Sequence, residues 1–255
     1  MDDNLEEFGD PVNYDLEHEP RARARIAFWV RQAARFGGPV LDLACGTGLV
    51  ALPLAQAGHD VTGTDLAAPM LAHARAKARR AGLRVDWVEA DLRTLALPTR
   101  FALAILTGNA FQAMLTPDDQ RALLATVRRH LAPGGVFGFE TRNPAGHALC
   151  DEPEGLPEHD YLDVDGQRVV LTSSQRWDAA AQVIHWTSLR RWCDRHGALH
   201  ERTTRIACRF TAPADVRALL AEAGFEIFEE LGDWNDAPFV PDGERLIVLC
   251  RRGVD

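Results

Sequence analysis

The stretch Val40-Leu41-Asp42-Leu43-Ala44-Cys45-Gly46-Thr47-Gly48 carries the clearest chemistry in the chain. A short apolar strand that enters a tight turn at Gly46 and Gly48 lets a ligand approach the backbone, because neither residue presents a Cβ. The helix N-terminus that follows offers unpaired N–H groups to an anion. That anion could be a dinucleotide pyrophosphate or the carboxylate of an adenosylated amino acid, and the pattern also fits a simple tight turn. About twenty residues on, Asp65 closes the next apolar segment, Val61-Thr62-Gly63-Thr64. A carboxylate there can accept from both hydroxyls of an adenosine ribose; it can equally cap the helix that Pro69 opens. A third acid, Asp91 in Glu89-Ala90-Asp91-Leu92, can accept from an adenine amino group while Leu92 packs on the ring, or can be an ordinary loop residue. Three such acceptors at the C-terminal ends of three successive strands mark the edge at which open α/β sheets take ligands.

A second set of residues could face a reacting partner. Thr107, Asn109 and Gln112 follow the fourth strand and can orient an acceptor or merely structure a loop. Arg142 and Asn143 follow the fifth, and Arg142 can grip a carboxylate with two parallel hydrogen bonds or pair with a surface acid. Farther on, Trp177, His185, Trp186 and Trp192 offer an aromatic wall suited to a cationic or planar group; the same residues would serve as the apolar face of a packed meander. Cys45 sits beside a helix N-terminus, which lowers a thiol pKa, yet no residue of the turn reads as a nucleophile. No metal site is expected. His196 and His200 flank Gly197 in a turn, Asp233-Trp234-Asn235-Asp236 reads as a loop, and the five cysteines are scattered with no Cys-x-x-Cys spacing.

These residues need a frame that holds strand ends side by side. The spacing predicts a helix over Arg21–Phe36, with Ile26, Trp29, Val30 and Ala33 on one face, ending at Gly37-Gly38. Strands follow at 39–44, 61–65, 84–88, 101–107 and 136–141, alternating with helices at 49–57, 69–81 and 116–130, the last opened by Thr116. Such alternation implies a parallel sheet covered on both faces. After Pro144 the pattern changes. Residues 145–160, rich in Pro, Glu, Asp and Gly, read as a surface loop, and 167–177, 182–192 and 199–210 as an antiparallel meander, with Asp165-Gly166 as a hairpin signal. Helix 212–223 and strands 225–231 and 245–250 complete the chain. The organisation expected is a loosely ordered lead-in or lid over 1–20, a main domain over 21–144 and 212–255, and an inserted β region over 145–211.

The totals exclude several classes. The 255 residues suffice for one α/β domain with an insertion, and 46% hydrophobic with 25% charged residues is ordinary for a globular protein. A net charge of -9 opposes binding along a phosphate backbone; the arginines at 21, 23, 25 and 31 read as a solvated helix face. The acidic start, Met-Asp-Asp-Asn-Leu-Glu-Glu, is no secretory signal, and no apolar run would span a bilayer, so the cytoplasm is the expected compartment. The sequence leaves oligomeric state open.

Taken in order, these segments resemble the class I S-adenosylmethionine-dependent methyltransferases, over residues 12–144 densely and 212–251 more loosely. VLDLACGTG resembles the family's cofactor loop, with Ala44 where the first glycine often stands; VTGTDLAAPML resembles its ribose-binding strand end and EADL its adenine-binding turn. FALAILTGNAFQAMLT is similar to the fourth strand and loop of small-molecule members, and LAPGGVFGFETRNP to the passage into the fifth strand. The resemblance implies a Rossmann-like, doubly wound, mostly parallel seven-stranded α/β sheet with an antiparallel last strand, and S-adenosylmethionine as cofactor. It also implies cofactor contacts from Tyr14, Asp42, Ala44, Gly46, Thr47, Gly48, Asp65, Leu66, Met70, Asp91, Leu92 and Thr107, with Tyr14-Asp15 closing over the ligand. The acceptor would be a small molecule rather than nucleic acid, since Thr107-Gly108-Asn109-Ala110 stands where nucleobase enzymes carry Asn/Asp-Pro-Pro-aromatic. Catalytic residues are not fixed by the pattern; Asn109, Gln112, Arg142 and His185 are the acceptor-side candidates. The alternatives are a nicotinamide-binding oxidoreductase, whose Gly-x-Gly-x-x-Gly tolerates Ala51 at its last position, and a cofactor-binding module without activity.

Overall fold

Residues 4–253 are described by a computed structural model. Strands β1 (Val40–Leu43), β2 (Val61–Asp65), β3 (Asp86–Glu89), β4 (Phe101–Leu106) and β5 (Leu131–Arg142) alternate with helices α3 (Ala51–Gln56), α4 (Ala68–Ala81) and α5 (Pro117–His130). Helices α1 (Pro11–His18) and α2 (Arg23–Phe36) precede them, and α6 (Pro213–Glu222), β10 (Phe225–Leu231) and β11 (Arg245–Arg252) close the chain. The seven strands lie in the order β10-β11-β5-β4-β1-β2-β3. All neighbours pair in parallel except β11, which runs antiparallel to both β5 and β10. The expected doubly wound sheet with an antiparallel last strand is what forms.

Chain order reverses between β1 and β4: β2 and β3 extend one way from β1, β4 and β5 the other. Loops leaving β1 and β4 therefore part at their C-terminal ends and open a crevice there. The sheet is buried on both faces. Leu41, Leu43, Phe137 and Phe139 pack under α5 and α6 residues Leu123, Val127 and Leu220, while Val40, Ile105 and Leu249 meet Phe28, Trp29 and Leu54 opposite. Adjacent residues such as Val40 and Leu41 fall in different clusters because strand side chains alternate with period two. Thr116 caps α5 by accepting from the Asp119 N–H, as its position before Pro117 predicts.

Two regions differ from expectation. The loop expected over 145–160 is largely a strand: β6 (Glu152–Leu162) edges a four-stranded antiparallel sheet with β7 (Arg168–Asp178), β8 (Val183–Cys193) and β9 (Leu199–Arg209). An edge strand exposes one row of backbone groups and much of its side-chain surface, so it tolerates the polar composition and Pro157 that a central strand would not. The lead-in is not loose either. It contains α1, whose N-terminus is capped by Asp10 and begins with Pro11, and Asp15 and Glu17 of that helix are buried.

Gly138 shows how tightly β5 is packed. A Cβ there would stand 2.6 Å from Trp29 Cζ3 and 2.8 Å from Leu249 Cδ2. Gly138→Ala is expected to cost about 1–3 kcal/mol through overpacking, read as a lower midpoint in urea denaturation. An unchanged midpoint would mean that Trp29 moves aside freely.

Candidate active site

The loop after β1 is built on backbone that glycine favours. Ala44, Gly46 and Gly48 have φ of +50°, +56° and +79°, a region costly for Ala44, and this is the position at which the first glycine of the resembled pattern stands. The loop is pinned from β2. The Gly46 N–H donates to Asp65 Oδ2 at 2.7 Å and the Ala67 N–H to Asp65 Oδ1 at 2.8 Å. Asp65 thus braces the turn that leads into α4, whose N-cap residue is Ala67, and the side chain still lines the crevice. Burial raises its pKa above the usual aspartate value. Gly48 does not line the crevice: a Cβ there would meet Trp87 Cη2 at 2.8 Å, so its bareness accommodates packing.

Thr47 is buried, and its Oγ1 donates to Asp15 of α1. Asp15 also accepts from Lys77 Nζ at 2.6 Å and lies 3.1 Å from His73 Nε2, both on α4. Asp42 is fully buried behind the loop and does not line the crevice; neither of its oxygens has a hydrogen bond of good geometry. Burial first, then the nearby Asp65 carboxylate, push its pKa up to about 8, against smaller pulls from the Ala51 N–H and Arg25.

The crevice is a cavity of about 850 Å³. Tyr14, Ala44, Gly46, Thr47, Asp65, Leu66, Met70, Asp91, Leu92 and Thr107 all line it, so ten of the residues expected to touch a cofactor converge on one space. Tyr14 covers it from α1, its ring 4.2 Å from that of His18, and burial pushes its hydroxyl up to about 12. Asp91 is pre-engaged by Arg93, whose Nη2 donates to Oδ2 at 2.6 Å while Nη1 reaches Asp119 Oδ1 at 2.9 Å. Hydrogen bonds from Arg93, outweighing partial burial, hold Asp91 below the usual aspartate range. Sequence reading missed Arg93 and Asp119; an Asp-x-Arg spacing was the available signal for the first, and nothing local pointed to the second.

Of the acceptor-side candidates, Asn109 and Arg142 line the cavity and Gln112 and His185 do not. Asn109 adopts φ +60° and its Oδ1 is buried without a partner. Gln112 is fully buried and braces Arg142, accepting from its Nη1 at 2.9 Å while its own Nε2 donates to the Arg209 carbonyl at 3.2 Å. His185 is placed on the wrong face: Trp186 and Ser188 of β8 line the cavity, so the alternation of the strand turns His185 away. Of the tryptophans only Trp186 reaches the cavity; Trp177 packs edge-on to Phe210 and Trp192 stacks on His200. Asn143 is spent on the Pro241 and Gly243 carbonyls.

Another unforeseen residue is Glu140, fully buried on β5. Its Oε1 accepts from the Gly108 N–H at 2.6 Å and lies 3.6 Å from Arg25 Nη1, while its Oε2 accepts from Trp234 Nε1. It fixes the turn after β4. At the outer side, Arg190 of β8 donates to Glu7 and Glu17 of the N-terminal segment and to Thr204 of β9. No group of three or more potential metal ligands occurs among the described residues.

Comparison with known proteins fits this geometry. Residues 40–135 match a family described as a methyltransferase domain. A cypemycin N-terminal methyltransferase from a Streptomyces species is 28% identical over 230 residues, covering 90% of this chain and 89% of that protein. The CcbJ methyltransferase of Streptomyces caelestis has the same fold, with a TM-score of 0.82 at 24% identity and 100% of both chains covered. The glycopeptide N-methyltransferase MtfA complexed with S-adenosylmethionine aligns at a TM-score of 0.53 and 25% identity over 92% of this chain and 93% of its own. These findings support a class I S-adenosylmethionine-dependent methyltransferase with S-adenosylmethionine as its cofactor. The nicotinamide and inactive-module alternatives find no support.

Asp65→Ala is expected to weaken S-adenosylhomocysteine binding by about 1.5–3 kcal/mol, the scale of hydrogen bonds to a charged group; unchanged calorimetric affinity in a folded variant would leave Asp65 as a brace of the turn only. Asp42 predicts a pH effect. Its folded pKa, about 8, lies above the ordinary 3.8, so the folded protein holds a proton there that the unfolded chain releases. Stability from this group is complete below about pH 4 and falls as pH rises toward 8. Asp42→Asn should flatten that fall in urea denaturation between pH 5 and 8, and a slope equal to that of the parent protein would refute it.

Proposed function

We propose that the protein transfers a methyl group to the nitrogen of a small molecule held between the main domain and the inserted sheet. The observation that carries this reading is a single cavity lined by Gly46, Asp65 and Asp91 at one end and by Trp186, Ser188 and Ile206 of the insertion at the other. Its volume, about 850 Å³, lies within the range of roughly 300–1,000 Å³ typical of small-ligand sites. A nitrogen acceptor is supported by the N-terminal methyltransferase that covers nine-tenths of this chain.

Bound S-adenosylmethionine supplies an electrophilic methyl on a sulfonium. In this reading Asp65 takes the ribose hydroxyls, Asp91 and Leu92 the adenine, the Gly46–Thr47 backbone the carboxylate, and Thr107, Met70 and Leu66 the remaining wall. Asp65, a lining carboxylate held by backbone N–H groups rather than by a basic side chain, suits a ligand that carries positive charge. The 4–20 segment acts as a lid and the 145–211 insertion as the acceptor wall, with Asn109 and Arg142 orienting the acceptor and Tyr14 covering the site. Alignment and exclusion of water are the protein's main contributions to in-line transfer. A neutral amine can attack first and lose its proton afterwards, so no strong base needs to stand beside it.

Isothermal calorimetry should give micromolar binding of S-adenosylhomocysteine and none of NADH. Gly46→Val should abolish the former. Gly46 has φ +56°, a conformation that a β-branched residue adopts only with strain, so valine would deform the loop as well as crowd the ligand. Retained binding would show the loop to be misassigned.

A further inference from the structure

The cavity lining contains three arginines, Arg25, Arg93 and Arg142. Two are neutralised inside the protein: Arg25 pairs with Glu140 at 3.6 Å, and Arg93 with Asp91 and Asp119. Arg142 differs. Among the described residues it has no carboxylate partner, although it is half-buried at the end of β5. What surrounds it is neutral and fixed. Nη1 is held by Gln112, which is itself anchored to the Arg209 carbonyl. One face lies 5.2 Å from the centroid of Trp186, whose indole Nε1 donates to Gln175 Oε1 at 2.9 Å. Cys208 stands beside it with its thiol pushed up to about 11 by burial, against the pull of this arginine, so the thiol stays neutral.

Two elements of the core and two strands of the insertion thus orient a guanidinium whose other N–H groups have no counter-ion. Holding a cation partly out of water without one is costly. A planar fork with unspent donors matches a carboxylate, to which it can give two parallel hydrogen bonds. A phosphate shares that recognition, but a single guanidinium balances one negative charge, which a carboxylate matches and a dianion exceeds.

We propose that Arg142 is a specificity-determining residue that anchors a carboxylate carried by the acceptor, so that the substrate is an amine bearing an acid group. This rests on the cavity holding cofactor and small amine together, as argued above. The Arg142 grip fixes the carboxylate beside Trp186 and leaves the amine end of the molecule free to meet the methyl group.

The test uses the full-length protein, radiolabelled S-adenosylmethionine and amino acids of increasing side-chain size and simple dipeptides. Each is paired with its C-terminal amide and with the corresponding aminoalkylphosphonate. At least one carboxylate should exceed its amide by about tenfold or more in kcat/KM and exceed its phosphonate as well. Arg142→Met should bring the carboxylate-to-amide ratio to about one with unchanged affinity for S-adenosylhomocysteine, and Arg142→Lys, which keeps the charge without the fork, should retain part of the preference. A panel in which no carboxylate is favoured over its amide overturns the proposal, as does preference for the phosphonate or a preference that survives in Arg142→Met. If S-adenosylhomocysteine binds the parent protein throughout, such a result removes this inference alone; if it does not bind, the reading on which the inference rests fails with it.

Discussion

Arg190 lies between two carboxylates that belong to a different part of the chain. Its guanidinium, on β8 of the inserted sheet, donates to Glu7 and Glu17 of the N-terminal segment, and the side chains of all three are nearly inaccessible. Burying one such charge without partners would be prohibitive, whereas a cluster that satisfies every donor and acceptor can persist. Burial tends to raise the Glu7 carboxyl, yet the hydrogen bond and charge of Arg190 win and hold it below the usual glutamate value. The contribution of Glu7 is therefore present above the ordinary glutamate range and fades on acidification. The cluster is complete only when the first turns of the protein lie against the insertion. Asp10 with Arg202, and Asn4 with the backbone of Ala207, extend the same seam.

That seam places α1 against the loop that follows β1. Asp15 accepts from Thr47 within the loop and from Lys77 on α4, so one helix joins the insertion, the loop and the main domain. The cavity is roofed as a consequence. Its carboxylates at 65 and 91 are already aligned by Gly46, Ala67 and Arg93, and alignment made during folding need not be made again on binding. The ion pairs that hold the N-terminal segment keep α1, with Tyr14, over the cavity.

Residues whose role depends on a period or a turn were legible in the sequence; residues whose role depends on distant partners were not. The strand ends at Leu43 and Asp65, the cap at Thr116 and the antiparallel last strand follow from apolar runs, turn residues and the family pattern. Glu140, Asp119 and Arg190 act through groups 26 to 173 positions away in the chain, and no local signal carries such a pairing. β6 was hidden because an edge strand need not look like one. His185 is a different kind of miss: once β8 is a strand, an inward Trp186 requires an outward His185, so parity alone would have excluded it.

The division of labour in the cavity follows from where its walls originate. The end lined by Gly46, Asp65 and Asp91 is made by loops of a sheet whose geometry is set by its core, and Gly46 packs close to the fully buried Met70. The opposite end is made by inward residues of β7, β8 and β9, chiefly Leu171, Trp186, Ser188, Ile206 and Cys208. Each can change size or polarity while the ladder hydrogen bonds of its strand remain, because the ladder is made by backbone. Gln112 and Arg142 lie at the junction, tied both to β5 and to the Arg209 carbonyl at the end of β9. A change of side chains on the insertion must therefore remain compatible with that brace, which couples one wall of the cavity to the other.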